Sequence, residues 1–175
     1  MNVTKANPVG IDWYIQQAQT VLYNNLGWDN YNCYGRVYRN KTKDGYIAEA
    51  FTGTDYKEVY WDDSLSAISF FGITDGVKSD VENKANIHLV FFVDLTKIKP
   101  GITHRADEEI RQDVYRAIGK SAYGLVFQGS DLWLENVLKE YPGSRRDKRL
   151  EAVDMHPVHC FRFNYQLLYN PNQKC

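Results

Sequence analysis

The sequence predicts an α+β fold in which a mainly antiparallel sheet packs with two principal helices. Three observations carry that prediction. Residues Ile87 to Leu95 form an apolar run, Ile11 to Leu26 and Ala106 to Ile118 have helical periodicity, and the segment Met155 to Tyr169 alternates large apolar with polar residues. The order helix, several strands, helix, short helix, strand separates the helices from most of the strands, unlike a repeating βα pattern.

The first element is an amphipathic helix from Ile11 to Leu26, with Ile11, Tyr14, Ala18, Val21 and Leu22 on one stripe and Gly27 as the stop. Tyr34 to Asn40 and Tyr46 to Thr52 then read as a β-hairpin. Between them lies K-T-K-D-G, where Asp44-Gly45 supplies the backbone freedom of a tight turn. Lys57 to Trp61 reads as a short strand, Asp62-Asp63-Ser64 as a turn and Ala67 to Ile73 as another strand. Gly76 to Asn86 is polar and turn-rich, which predicts an exposed loop.

Ile87 to Leu95, I-H-L-V-F-F-V-D-L, is apolar on both parities until Asp94, as expected of a central strand covered on both faces. After Pro100-Gly101, the helix from Ala106 to Ile118 opens with Glu108 and Glu109 in its first turn, where the helix dipole favours acids. It buries Ile110, Val114, Ala117 and Ile118. Leu125 to Gln128 reads as a brief strand, and Ser130 as the N-cap of a short helix from Asp131 to Glu140 that ends before Pro142-Gly143. The final strand places Phe161, Phe163, Tyr165, Leu167 and Tyr169 on one face and Arg162, Asn164 and Gln166 on the other, a half-buried pattern.

At 175 residues the chain is read as one domain spanning 1–175, with the strand-rich 34–73 region as an interface elaboration. Hydrophobic residues at 43% and charged residues at 25% place it among globular proteins, and no run approaches the ~18 apolar residues of a membrane span. A formal charge of −1 argues against the basic footprint of a dedicated nucleic-acid binder. Cys33, Cys160 and Cys175 are widely spaced without C-x-x-C, which points to a reducing cytoplasm rather than a disulfide framework or structural zinc. The N-terminus lacks the apolar segment of a signal peptide. Thirteen Tyr, eight Phe and four Trp raise the aromatic share to 14%, read as a Tyr-rich β core or as a surface built for protein contacts.

Chemistry is sparse in the sequence. Asp154, His156, His159 and Cys160 are acceptable metal ligands by type, but on an extended chain His156 and His159 point to opposite faces. Asp62 and Asp63 diverge as neighbours on an extended chain and suit a turn. Glu82-Asn83-Lys84 resembles half of a nuclease motif but falls in the predicted polar loop. His88 and His104 have no evident nucleophile or acid partner and read as structural. G-x-G-x-x-G, G-x-x-x-x-G-K-S/T and G-x-S-x-G are all missing. The expectation is no enzyme, no catalytic or metal residues and no cofactor. Arg145, Arg146, Lys148 and Arg149 form a charged loop, read as solvated, as a salt-bridging arm to a protein neighbour, or as a phosphate contact.

The ending D-M-H-P-V-H-C-F-R-F-N-Y-Q-L-L-Y, preceded by I-H-L-V-F-F-V-D-L and A-D-E-E-I-R-Q-D-V-Y-R-A-I, resembles the neck and tail-completion proteins of tailed bacteriophages, in particular the tail-terminator type, including that of crAss-like phages. The resemblance covers residues 85–170. It implies a tail-terminator-like α+β subunit of a hexameric or twelvefold ring in the head-to-tail connector of the virion, assembled in the host cytoplasm. Such a ring sits between portal or adaptor proteins and the tail, and DNA passes its lumen without specific binding. The strand-rich segment Tyr34 to Ile73 departs from the small tail-terminator pattern. Under this reading Tyr34, Arg36, Tyr38, Tyr46, Tyr60, Trp61, Arg145, Arg146, Lys148 and Arg149 are the candidate interface residues. The alternatives are a small hydrolase or nuclease using Asp62, Asp63 or the His156 to Cys160 cluster, and a cytoplasmic interaction adaptor.

Overall fold

The structure, a computed structural model, describes residues 1–43, 45–59, 61–77, 83–119, 122–139 and 156–172. Among the described residues, nine strands and four α-helices run in the order β1 (Asn2–Val3), α1 (Ile11–Leu26), β2 (Tyr31–Arg36), β3 (Tyr38–Thr42), β4 (Gly45–Phe51), β5 (Tyr56–Glu58), β6 (Ala67–Val77), β7 (Asn83–Asp94), α2 (Leu95–Ile98), α3 (Asp107–Ile118), β8 (Leu125–Asp131), α4 (Leu134–Val137) and β9 (Val158–Tyr169). Six strands make one sheet in the order β1-β2-β6-β7-β9-β8, and β3-β4-β5 make a second. The β1-β2 and β2-β6 pairs are parallel, whereas β6-β7, β7-β9 and β9-β8 are antiparallel, so the large sheet is mixed.

The two faces of the large sheet are covered by different layers. On one, α1 and α3 pack Ile15, Ala18, Leu22, Ile110, Val114 and Ile118 against Leu89, Phe91, Phe161 and Phe163. The Phe91 and Phe161 rings stack with centroids 5.0 Å apart. Each such fully buried side chain contributes about 1.5–3 kcal/mol through area removed from water. On the other face, Ile68, Phe70, Val90, Phe92 and Cys160 meet Ala48, Ala50 and Val59 of the small sheet and Val137 of α4.

Local chemistry fixes how α1 sits. Gly27 adopts the left-handed conformation (φ 58°, ψ 25°) and its N–H donates to the Tyr23 carbonyl, ending the helix as its sequence predicts. Gln19, a polar residue on the buried stripe, donates from Nε2 to the carbonyls of Val3 and Cys33, each at 2.8 Å, and so pins the helix to β1 and β2. Asn25 donates to the Ala117 carbonyl and joins α1 to α3.

Several expectations are corrected. The large sheet is mixed, because β2 enters it beside β6 in the same direction, although five of the seven strand pairs among the described residues are antiparallel. The predicted strand Tyr34 to Asn40 is two strands in two sheets. The chain leaves the large sheet at Arg36, Val37 buries its side chain between the sheets and donates its N–H to Phe71, and β3 begins at Tyr38. Both described ends of the predicted loop Gly76 to Asn86 are strand, with β6 reaching Val77 and β7 beginning at Asn83, while residues 78–82 lie outside the described residues. Its polarity reflects alternation: Asn83 and Ala85 are buried, while Lys84 and Asn86 face solvent. Ser130 and Asp131 lie in β8 and do not start a helix; the helix that follows is the single turn Leu134–Val137. The final strand is more than half buried, since Cys160 and Arg162 are buried on the face opposite Phe161 and Phe163.

Candidate functional site

The β3-β4 hairpin stands out from the core. Thr42 pairs with Gly45 at its tip, as the K-T-K-D-G turn requires, and Arg39, Asn40, Lys41, Thr42 and Lys43 are all exposed. Consecutive exposed residues on a strand mean that both faces are open, so this end of the hairpin is a two-stranded arm beyond the packed layers. On the arm the Arg39 guanidinium lies 4.0 Å from the Tyr46 ring centroid, and Asn40 donates to the Glu49 carboxylate.

The base of the arm is tied down by charge. Arg36 Nε lies 2.6 Å from Asp12 Oδ1, Lys5 Nζ lies 3.0 Å from Asp12 Oδ2, and both cations donate to the Tyr38 hydroxyl at 2.7 and 3.1 Å. The Arg36 guanidinium also covers the Tyr38 ring at 4.6 Å. Partial burial works against the Lys5 charge, but the hydrogen bonds to Tyr38 and Asp12, with the Asp12 charge, hold its pKa above the ordinary lysine value.

Of the predicted interface residues, Tyr46 is exposed, while Arg36 and Tyr38 are engaged within the chain at the arm's base. Tyr34 and Trp61 pack partly buried against the small-sheet core, and Trp61 Nε1 donates to Asp63 at 2.8 Å. Tyr60, Arg145, Arg146, Lys148 and Arg149 lie outside the described residues.

A polar row unseen in the sequence crosses the large sheet on its small-sheet face. Thr74 Oγ1 lies 3.0 Å from His88 Nε2, and His88 Nδ1 lies 2.7 Å from Asn164 Oδ1. Asn164 Nδ2 donates to Asp131 Oδ2 at 2.8 Å, and Arg162 donates to the same oxygen from Nε and from its terminal nitrogen at 3.0 and 2.7 Å. The row fixes its own protons. A carboxylate only accepts, so Asn164 turns its amide nitrogen to Asp131 and its oxygen to His88; Nδ1 of a neutral His88 then carries the hydrogen, and Nε2 accepts from Thr74.

A bulge makes the row possible. The pairing of β8 with β9 shifts between Phe127 and Gly129, so Ser130 joins Phe127 on the helix side and Asp131 turns to meet Arg162 on the other. Burial opposes ionisation of Asp131, but the hydrogen bonds from Asn164 and Arg162 and the Arg162 charge hold its carboxyl below the usual range. The only sequence signal for the row was the polar parity of Arg162 and Asn164 on the final strand.

The hydroxyl, imidazole and amide of Thr74, His88 and Asn164 follow the order of a nucleophile, base and orienting group. His88 is 8% exposed, and neither the cleft of about 550 Å³ between α1, α2 and α3 nor the small pocket beside Gln19 is lined by any of them. With Asp131, they form a row of hydrogen bonds across the neighbouring strands β6, β7, β9 and β8 and pin their register.

β8 closes one end of the large sheet. Its sequence and the two residues beyond it, L-V-F-Q-G-S-D-L-W, contain no Lys, Arg or Pro, and its one acid is held by Arg162. Val126, Leu132 and Trp133 are 44%, 38% and 74% exposed, an apolar border along a strand that ends the sheet among the described residues.

The remaining chemical candidates do not gather. Asp62 Oδ1 accepts from the Ser64 N–H in a turn, which lowers its pKa, and Asp63 accepts from Trp61 and from Lys97. His156 is exposed, whereas His159 is buried against Phe161 with Arg105 at 3.1 Å and Cys160 is buried on the opposite face; Asp154 and Glu82 lie outside the described residues. His104, expected to lack an acid partner, lies 2.7 Å from Glu109 and lowers that carboxyl's pKa through the hydrogen bond. Among the described residues no group of three or more His, Cys, Asp or Glu side chains is placed to hold a metal. Compared with known proteins, the chain matches no family profile and no curated protein.

Proposed function

We propose that this chain is a structural subunit of the head-to-tail connector of a tailed bacteriophage, of the neck or tail-terminator kind. It forms a ring that links portal-side proteins to the tail and leaves a passage for DNA. The observation that carries the reading is the hairpin arm, open on both faces from Arg39 to Lys43 and carried on a packed α+β body. A two-stranded ribbon is marginal in water by itself, and an arm of this kind gains its stability from a neighbour. A ring of identical subunits needs two unlike surfaces on each copy, and the basic arm and the neutral β8 border are unlike. The resemblance of residues 85–170 to tail-completion proteins supplies the phage context, and the net charge of −1 suits a lumen that passes DNA without gripping it.

Native mass spectrometry of the full chain, alone and with candidate portal-side proteins, tests this. A six- or twelve-subunit species, formed alone or on a partner, is the expected result. A monomer at every concentration and with every portal-side protein overturns the reading.

A further inference from the structure

We propose that the open edge of β8 receives the β3 edge of the hairpin arm from a neighbouring copy of this chain, so that adjacent subunits are joined by intermolecular β-pairing. The inference rests on the ring reading and names the surface that binds the arm.

The backbone supplies the first argument. β8 ends the six-stranded sheet and β3 ends the three-stranded sheet, so among the described residues each presents a row of outward N–H and C=O groups. Such a row is a template for another strand unless something blocks it. Protected edges carry Lys, Pro, inward charges or bulges; β8 has no Lys, Arg or Pro, and its one inward charge, Asp131, and its bulge both lie beyond Phe127, leaving Leu125 to Phe127 in regular pairing. The five residues of β3 fit within the seven of β8.

Side chains decide the partner. β3 itself bears Arg39 and Lys41 with no acid, the one acid in the turn sequence that follows being Asp44, so a two-fold pairing of β3 with itself sets like charges against each other. A two-fold pairing of β8 with itself makes a closed dimer and leaves the arm uncovered. Pairing β3 with β8 opposes cations to a neutral strand and covers both edges. It is also heterologous, the kind of contact that continues around a ring. Trp133, the most exposed of the large apolar side chains among the described residues, offers an aromatic face beside that edge for the arm's cations.

The test uses the full chain with Cys175→Ser; the native Cys33 and Cys160 are buried. One preparation carries only Lys41→Cys and another only Gln128→Cys. Each alone and an equal mixture are treated with a short bis-maleimide under the conditions, with or without a portal-side protein, in which native mass spectrometry detects the ring. Cross-linked dimer is expected in the mixture and not in either preparation alone. A dimer from Gln128→Cys alone, or a ring with no cross-link in the mixture, overturns the edge pairing and leaves the ring reading standing. No ring under any condition overturns both. As a second measurement, Val126→Lys places a charge on the edge and is expected to weaken subunit association at least tenfold with an unchanged circular dichroism spectrum. Unchanged association overturns the proposal.

Discussion

The large sheet and the hairpin arm are made of similar strand-forming sequence and end in opposite conditions. In β7 and β9 nearly every residue from Ile87 to Val93 and from His159 to Phe163 is buried, whereas on the arm five consecutive residues are open to solvent. The sheet draws its stability from layers on both faces; the arm has only its own cross-strand contacts and the charged cluster at its base. Stability and exposure are therefore distributed by region: one part of the molecule holds the fold, and the other is available to a partner.

The largest expected effect breaks the stable side of that contrast. Phe91→Ala removes a ring that stacks on Phe161 and lies beside Tyr31 and Trp28, and urea denaturation should show a loss of about 3–5 kcal/mol. A loss under about 1 kcal/mol would mean that the two-faced core does not carry the fold.

Next comes the polar row. Arg162→Ala strips a partly buried carboxylate of its cation and should cost about 2–3 kcal/mol, the lower range for such pairs because Asp131 keeps a quarter of its exposure. The row also has a pH signature. The folded Asp131 carboxyl titrates below its ordinary value, so its stabilisation is fully present above about pH 4 and is lost as pH falls through the lower folded value. The stability gap between the native chain and Asp131→Asn should therefore narrow on acidification, as followed by thermal denaturation from pH 6 to pH 2.5.

The smallest effects on stability belong to the arm. Tyr46→Ala removes an exposed contact with Arg39 worth about 0.5–1 kcal/mol and should leave the melting temperature within a few degrees of the parent. Thiol labelling sharpens the same contrast. Burial pushes the Cys33 thiol up to about 11, so in the folded chain at pH 8 it should react only through unfolding, while a cysteine placed at Lys41 should react at the rate of a free thiol in unassembled chain.

Periodic and apolar signals made much of the fold legible. The span of α1, the stripe of α3, the buried run of β7 and the β3-β4 turn all follow from local sequence, because one face of each element meets the core. What local sequence could not carry was a change of partner. Val37 reads as the middle of a strand, yet it is where the chain passes from one sheet to the other. Ser130 and Asp131 read as a helix start because their role depends on a bulge that brings Asp131 to Arg162, a residue far along the chain. His88 and Asn164 were visible only as polar residues on strands, since their hydrogen bond joins positions 76 residues apart. Of the candidate interface residues, Tyr46 is exposed, whereas Arg36 and Tyr38 engage Lys5 and Asp12, which no spacing rule connects to them.

The position of β9 has a consequence for how the protein is made. It lies between β7 and β8, both of which leave the ribosome before it. Until its residues emerge, β8 has no partner in the sheet and one edge of the apolar β7 stands open, so the nascent chain cannot complete its fold progressively from the N-terminus. Folding waits for nearly the whole described chain and depends on distant contacts, which makes it slow and exposes sticky strand surface in the interval.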